Sequence, residues 1–332
     1  MSSNLNPTYF EDNEYIKMFR SYHVYELENS AIESEGEVNI SDFGIVTKGY
    51  FRQSVVMKHI PPEFINNDNA KLENIIHKMN NISHPNILQF LGATYDPETK
   101  RHMIVLEYAE NGTLQDYISK NFNNLKPATK LKIANDIARG LKHMHDQGII
   151  HRNLNTKTIF MGNEKAQISN PIFLELNIDA SSAIPLQGGM IAFFDPEILK
   201  NHNLPFTSAS DVYSLGVIMW SICSGKLPFE CFTSQKDLIE QIVSKNIREE
   251  PVENIQPAYL DLYQRCWDLD SEKRPAMQDV CNQLKVMLQE ELRNRDGQID
   301  TPEISQLENN PNEVPEADES KAGESNQQKF KR

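Results

Sequence analysis

The sequence predicts an α+β protein of two lobes, a small β-rich lobe with one helix followed by a larger, mostly helical one. Three observations predict it. Between Glu37 and His59 the apolar residues alternate in short runs, the period of half-buried strands. After the Asn111-Gly112 turn the apolar spacing changes to three and four, the period of helices packed on a core. The two regions join near Tyr108 to Asn111, which suggests two lobes with a cleft between them.

Residues 1–30 are polar, with scattered aromatics and no clear period, and are read as an N-terminal extension. The small lobe is expected over 31–109. Its strand region is broken at Gly44 and Gly49, as in a twisted antiparallel sheet, and "RHMIVLEY" ends it as a further strand. Within it "KLENIIHKMNNI" puts Leu72, Ile76 and Met79 at helical spacing. The large lobe is expected over 110–292. There "ATKLKIANDIARGLKHMHDQG" lays Leu131, Ile133, Ile137, Leu141 and Met144 along one face and stops at Gly148, a C-cap signal. Further helices are predicted over Asp211–Ser224, Gln235–Ser244, Ala258–Trp267 and Ala276–Leu292. The stretch "VYSLGVIMWSIC" is too short to cross a bilayer, which needs about 20 residues, and suits a helix buried in a core. From 293 to 332 the chain is rich in Asn, Glu, Pro and Ser and poor in large apolar side chains, so it is expected to form a disordered acidic tail.

A formal net charge of -14 disfavours nucleic acid and anionic membrane as partners and leaves basic or neutral proteins open. The four cysteines lack paired metal-ligand spacing, which points to reduced, structural thiols. The N-terminus has no basic start followed by an apolar run, and a cytoplasmic location is expected, with the nucleus open. His77, His84, His143 and His145 share no ligand pattern and are read as solvated or locally bonded rather than as a metal site.

Seven strings occur in one order: "VVMK" ending at Lys58, "SHPNILQFLGATY", "IVLEYAENGTL", "IIHRNL", "DPEIL", "SDVYSLGVIMW" and "CWDLDSEKRP". Together they closely resemble the eukaryotic protein kinase domain from about Gly36 to Glu291, and the wording of "LGATY" and "RCWDLDSEKRP" looks most like its tyrosine-kinase-like serine/threonine group. The resemblance implies a bilobal kinase-like fold. It also implies a nucleotide site at Lys58, Leu106, Glu107 and Ala109, where the lysine pairs with phosphates and the apolar connection holds the base. Lys58 could equally be a strand residue with a solvated head.

Measured against that family, the chemistry is depleted. Asn39 and Ser41 stand where the first two glycines of the phosphate loop belong, leaving Gly44 alone, and Val56 would crowd an adenine ring. Ile75 takes the place of the helix glutamate that steadies the lysine, with Glu73 two positions earlier. Asn153 replaces the catalytic base, Asn155 the lysine on the transferring phosphate, and Thr158 and Asn170 the two metal-holding residues. A neutral amide oxygen is a poor exchange for a carboxylate at a hard cation, so no metal site is expected. Pro171 and Ile172 follow Asn170, and Met190 replaces a threonine before the Pro-Glu motif. The resemblance implies that the residues kept are structural: His151 and Arg152 at the loop base, Asp211 bonded to that loop, and Glu197 paired with Arg274 inside the large lobe.

The expectation is therefore a pseudokinase that scaffolds or allosterically regulates other signalling proteins, active kinases among them. ATP would bind weakly, if at all, and without dependence on magnesium. The alternative is a weak or atypical ATP-dependent protein serine/threonine kinase with a rearranged site.

Overall fold

In the computed structural model the described residues are 33–41, 44–51, 53–60, 69–96, 101–162, 165–169, 190–232 and 234–296. The N-terminal extension and nearly all of the expected acidic tail lie outside them.

Strands β1 (Glu33–Ser41), β2 (Gly44–Phe51), β3 (Gln53–His59), β4 (Phe90–Asp96) and β5 (Arg101–Glu107) form one antiparallel sheet in the order β1-β2-β3-β5-β4. Alternation along the paired strands sorts their side chains between two faces. Val55, Met57, Met103 and Val105 pack together on one, while Ile104 and Leu106 join the main core with Ile76 and Met79 of helix α1 (Asn69–Asn80). The expected break at Gly49 does not occur. Gly49 pairs with Val55 within the ladder, whose hydrogen bonds need only backbone groups.

The large lobe begins with α2 (Leu114–Asn121). Thr113 and Asp116 form a reciprocal capping box there, just after Gly112 turns the chain at φ +70°. Helix α3 (Pro127–Asp146) starts with proline in its first turn, where a missing N–H costs nothing, and stops at Gly148 with φ +72°. A short hairpin of β6 (Ile159–Gly162) and β7 (Lys165–Ile168) follows. Helix α4 (Pro196–Lys200) leads to α5 (Ser208–Ser224), in which every residue from Ser210 to Cys223 is buried. Such a helix can only be a central pillar. At Gly216 an added Cβ would lie 2.8 Å from Cys266 Cβ, so the glycine lets α7 (Pro257–Cys266) approach α5 closely. Helix α6 (Gln235–Ser244) has the expected bounds, and α8 (Met277–Asp296) continues past the expected end at 292. The described residues up to Leu292 belong to one compact unit.

The small lobe is fastened to the large one through the loop between α1 and β4. The Leu88 amide donates to Ile168 O at 2.9 Å, and the Ile168 amide to Asn86 O at 2.9 Å. The Asn86 side chain donates to Ala166 O at 3.1 Å. Gly140 of α3 faces this loop so closely that an added Cβ would lie 2.5 Å from Asn86 O.

One expected pair is wrong. Arg274 is buried, but its carboxylate is Asp195, not Glu197. Nη1 donates to Asp195 Oδ2 at 2.5 Å and Nη2 to Oδ1 at 3.0 Å, a bidentate fork. The carbonyls of Ala209, Asp268 and Leu269 accept the other donors of the guanidinium. Glu197 is exposed and accepts only from the Ser271 hydroxyl, at 3.2 and 3.3 Å. The physical reason is the start of α4. Asp195 is its N-cap, with Oδ1 accepting from the Glu197 amide at 3.0 Å; the cap turns Asp195 inward, whereas Glu197 is the exposed residue of a first turn whose Pro196, Ile198 and Leu199 are buried.

Candidate functional site

The candidate cleft lies where β3 and β5 meet the large lobe. Leu106 and Ala109 are buried, and the Glu107 amide donates to Gln89 O at 3.0 Å. Lys58 pairs in register with Val46 and Ile104. The residue as a whole is half-buried, yet its ammonium is withdrawn from water, and that desolvation brings the pKa down from 10.5 to about 7. Val56 is half-buried opposite Leu106. Asn39 and Ser41 lie at the end of β1 and Gly44 opens β2, but of their side chains, and of those of Glu73 and Ile75, nothing is described.

Sequence reasoning missed the residue that holds this connection against the large lobe. Gln167 of β7, 1% exposed, donates from Nε2 to Glu107 Oε2 at 2.8 Å. Gly162 provides the room, since an added Cβ there would lie 3.2 Å from Ala109 Cα and 3.3 Å from Gln167 Oε1. A glutamine in a short apolar strand was the available signal, because a buried amide requires a partner.

The loop from His151 to Thr158 is built on Asp211, as expected. Its Oδ2 accepts from the His151 amide at 2.8 Å, and its Oδ1 from the Arg152 amide at 2.9 Å. These bonds hold Arg152 at φ +68°, a conformation that a side-chain-bearing residue adopts only when its surroundings impose it. His145, read as locally bonded, shares the same carboxylate, with Nε2 2.8 Å from Oδ2. His151 is 1% exposed. Its Nδ1 accepts from the Asn153 amide at 3.3 Å, which leaves Nε2–H to donate to Ser169 O at 3.2 Å. Burial brings its pKa down to about 4.

The three replaced residues turn toward one another. Asn155 donates from Nδ2 to both the backbone carbonyl and Oδ1 of Asn153, each at 3.0 Å. Its own Oδ1 accepts from the Lys157 amide at 2.8 Å and the Thr158 amide at 3.2 Å. Thr158 Oγ1 accepts from the Asn155 amide at 3.0 Å and reaches Asn153 O at 3.0 Å and Asn155 O at 3.1 Å. Asn155 and Thr158 are 4% and 8% exposed, so their oxygens are spent inside the loop and do not suit a metal. Among the described residues no group of three or more His, Cys, Asp or Glu is arranged to hold one. Asn170, Pro171 and Ile172 lie outside the described residues. Met190 is buried in the main core, where the threonine it replaces would have been polar.

A five-stranded antiparallel lobe with one helix, a helical lobe built on a buried central helix, and a loop held by Asp211 together define the protein kinase fold. The chain matches the protein tyrosine and serine/threonine kinase family over residues 32–284 and belongs to it. It is 28% identical over 272 residues to the serine/threonine-protein kinase STY46 of Arabidopsis thaliana, covering 80% of this chain and 46% of that protein. To the serine/threonine/tyrosine-protein kinase HT1 of the same plant it is 29% identical over 245 residues, 71% of this chain and 61% of the relative. To the probable serine/threonine-protein kinase roco5 of Dictyostelium discoideum it is 30% identical over 287 residues, 79% of this chain and 10% of the relative. The chain thus spans from a tenth to about three fifths of the length of these curated relatives. No helix among the described residues is long and apolar enough to cross a membrane.

Proposed function

We propose that this kinase-family chain transfers no phosphate and works as a pseudokinase, a scaffold or allosteric regulator for other signalling proteins, active kinases among them. The observation that carries the reading is the hydrogen-bonded closure of Asn153, Asn155 and Thr158. Phosphoryl transfer depends on a base, on charge at the transferring group and on metal ligands. This loop offers neutral groups already bonded to one another. The net charge of -14 favours basic or neutral protein surfaces over nucleic acid. A cytoplasmic or nuclear location agrees with this reading.

Among the described residues of the cleft the cation is Lys58, so a nucleotide would bind weakly, through this lysine and the connection at Leu106 to Ala109, and independently of magnesium. The test is an autophosphorylation assay on the purified full chain with labelled ATP and magnesium. Incorporation at background is expected, and Asn153→Asp alone should not raise it. Robust magnesium-dependent incorporation, abolished by Lys58→Ala, would overturn the proposal and favour a weak serine/threonine kinase.

A further inference from the structure

His84 sits in the loop that fastens the small lobe to the large one, and its ring is part of the fastening. Its Nδ1 accepts from the Asn86 amide at 3.1 Å, while its carbonyl accepts from Ile87 at 3.0 Å. These bonds fold the loop so that Asn86 and Leu88 reach Ala166 and Ile168 of β7. The imidazole is stacked on His143 of α3, with centroids 4.9 Å apart and planes 24° apart. Both imidazoles are half-buried, so a proton on His84 would lie in partly desolvated surroundings.

The groups facing His84 come from α3: His143 and the exposed Arg139, which oppose a proton on it, and the buried Asp136, which favours one. Asp136 is engaged elsewhere, by Lys132 Nζ at 3.2 Å and the Ala166 amide at 3.3 Å. Strand β7, the other element packed on the loop, meets it through the backbone of Ala166 and Ile168. Burial first, and then the neighbouring His143, outweigh Asp136 and hold the His84 pKa below 6.5. At neutral pH Nδ1 is therefore a free lone pair, as the bond from Asn86 requires.

We infer that His84 and His143 form a proton-sensitive clasp between the lobes: protonation of His84 at Nδ1 abolishes the acceptor for the Asn86 amide and loosens the docking of the loop on β7. Because the folded state resists this proton, the contribution is fully present above the ordinary histidine range. It is lost as the pH falls through the lowered value. His151, which burial brings down to about 4, lies below the pH range of the experiment and does not mimic the effect there.

The experiment is amide hydrogen exchange on the full chain, read at Leu88 and Ile168 and corrected for intrinsic rates, between about pH 8 and about pH 5. Loss of one such hydrogen bond, about 1 kcal/mol, corresponds to a roughly fivefold fall in protection toward the acid end. His84→Asn tests the cause. An asparagine oxygen can accept from the amide two residues on, as in an Asx turn, and does not titrate in this range. The variant should keep the protection of the wild type at the alkaline end and lose its pH dependence. His143→Gln removes the opposing neighbour and should move the midpoint of the wild-type transition upward. Equal pH dependence in the wild type and His84→Asn, or an unmoved midpoint in His143→Gln, would overturn the inference.

Discussion

Replacing Asp195 by alanine should cost far more than replacing Glu197, although Glu197 is the acid that the kinase resemblance ties to Arg274. In the folded chain the Arg274 side chain is fully enclosed and its two terminal nitrogens fork onto Asp195. Asp195→Ala leaves a buried guanidinium uncompensated, a loss of roughly 3–5 kcal/mol. It also removes the N-cap of α4, worth about 1 kcal/mol. The carbonyls of Ala209, Asp268 and Leu269 still hold the cation and soften the loss, so about 3–5 kcal/mol is the net expectation. For a domain of this size that corresponds to a fall in Tm of roughly 6–20 °C. Glu197→Ala forfeits a bond from Ser271 at the surface and should stay within about 0.5 kcal/mol of wild type. Asp195→Asn, which keeps acceptor and cap but not the charge, should fall between them. Chemical and thermal denaturation of the full chain measure all three. Equal losses at Asp195 and Glu197, or a larger one at Glu197, would refute the assignment.

The small lobe should reveal Lys58 by its pH dependence. Between about pH 7 and about pH 9, below the range where the buried thiols of Cys223, Cys266 and Cys281 oppose it, the unfolded chain holds a proton on this lysine that the folded chain has released, so stability should rise with pH across that window. Lys58→Met should remove the slope, and an unchanged slope would exclude the lysine as its source. Any affinity for a nucleotide phosphate should fall as the pH rises through 7, because the ammonium form is the one that binds. Thermal-shift titration with ATP, with and without magnesium, reads this directly, and tight magnesium-dependent binding would contradict it. Gly140→Ala should destabilise by about 1–3 kcal/mol despite the better helix propensity of alanine, because its Cβ would meet Asn86 O, a carbonyl held in place by Ile168. A stabilised variant would show that the loop gives way.

Long periodic helices and an ordered series of motifs made the fold legible. The apolar run from Val212 to Cys223 could belong only to a buried helix of this length, and it does. The losses at Asn153, Asn155 and Thr158 were also legible, because each is a change of residue type at a defined place in a loop. Their bonding to one another was not, since it depends on rotamers. The β6–β7 hairpin escaped notice because strands of four residues carry too little alternation to stand out. Glu197 was mistaken for Asp195 because a motif assigns a role by position, whereas burial is decided by which way the N-cap turns. The string Asp195-Pro196-Glu197 held the cue, an acid followed by proline at a helix start. The links of His145 to Asp211 and of Gln167 to Glu107 join residues 66 and 60 positions apart, which one sequence cannot pair.

The self-bonded loop from Asn153 to Thr158 also bears on how a partner would meet it. A loop whose side chains await a ligand is ordered at the moment of binding and subtracts that ordering from the affinity. Here the ordering is complete within the chain. Arg152 and Lys157, both exposed, flank the interlocked amides on an otherwise strongly acidic protein. A surface that docks on this loop would freeze little of it on arrival.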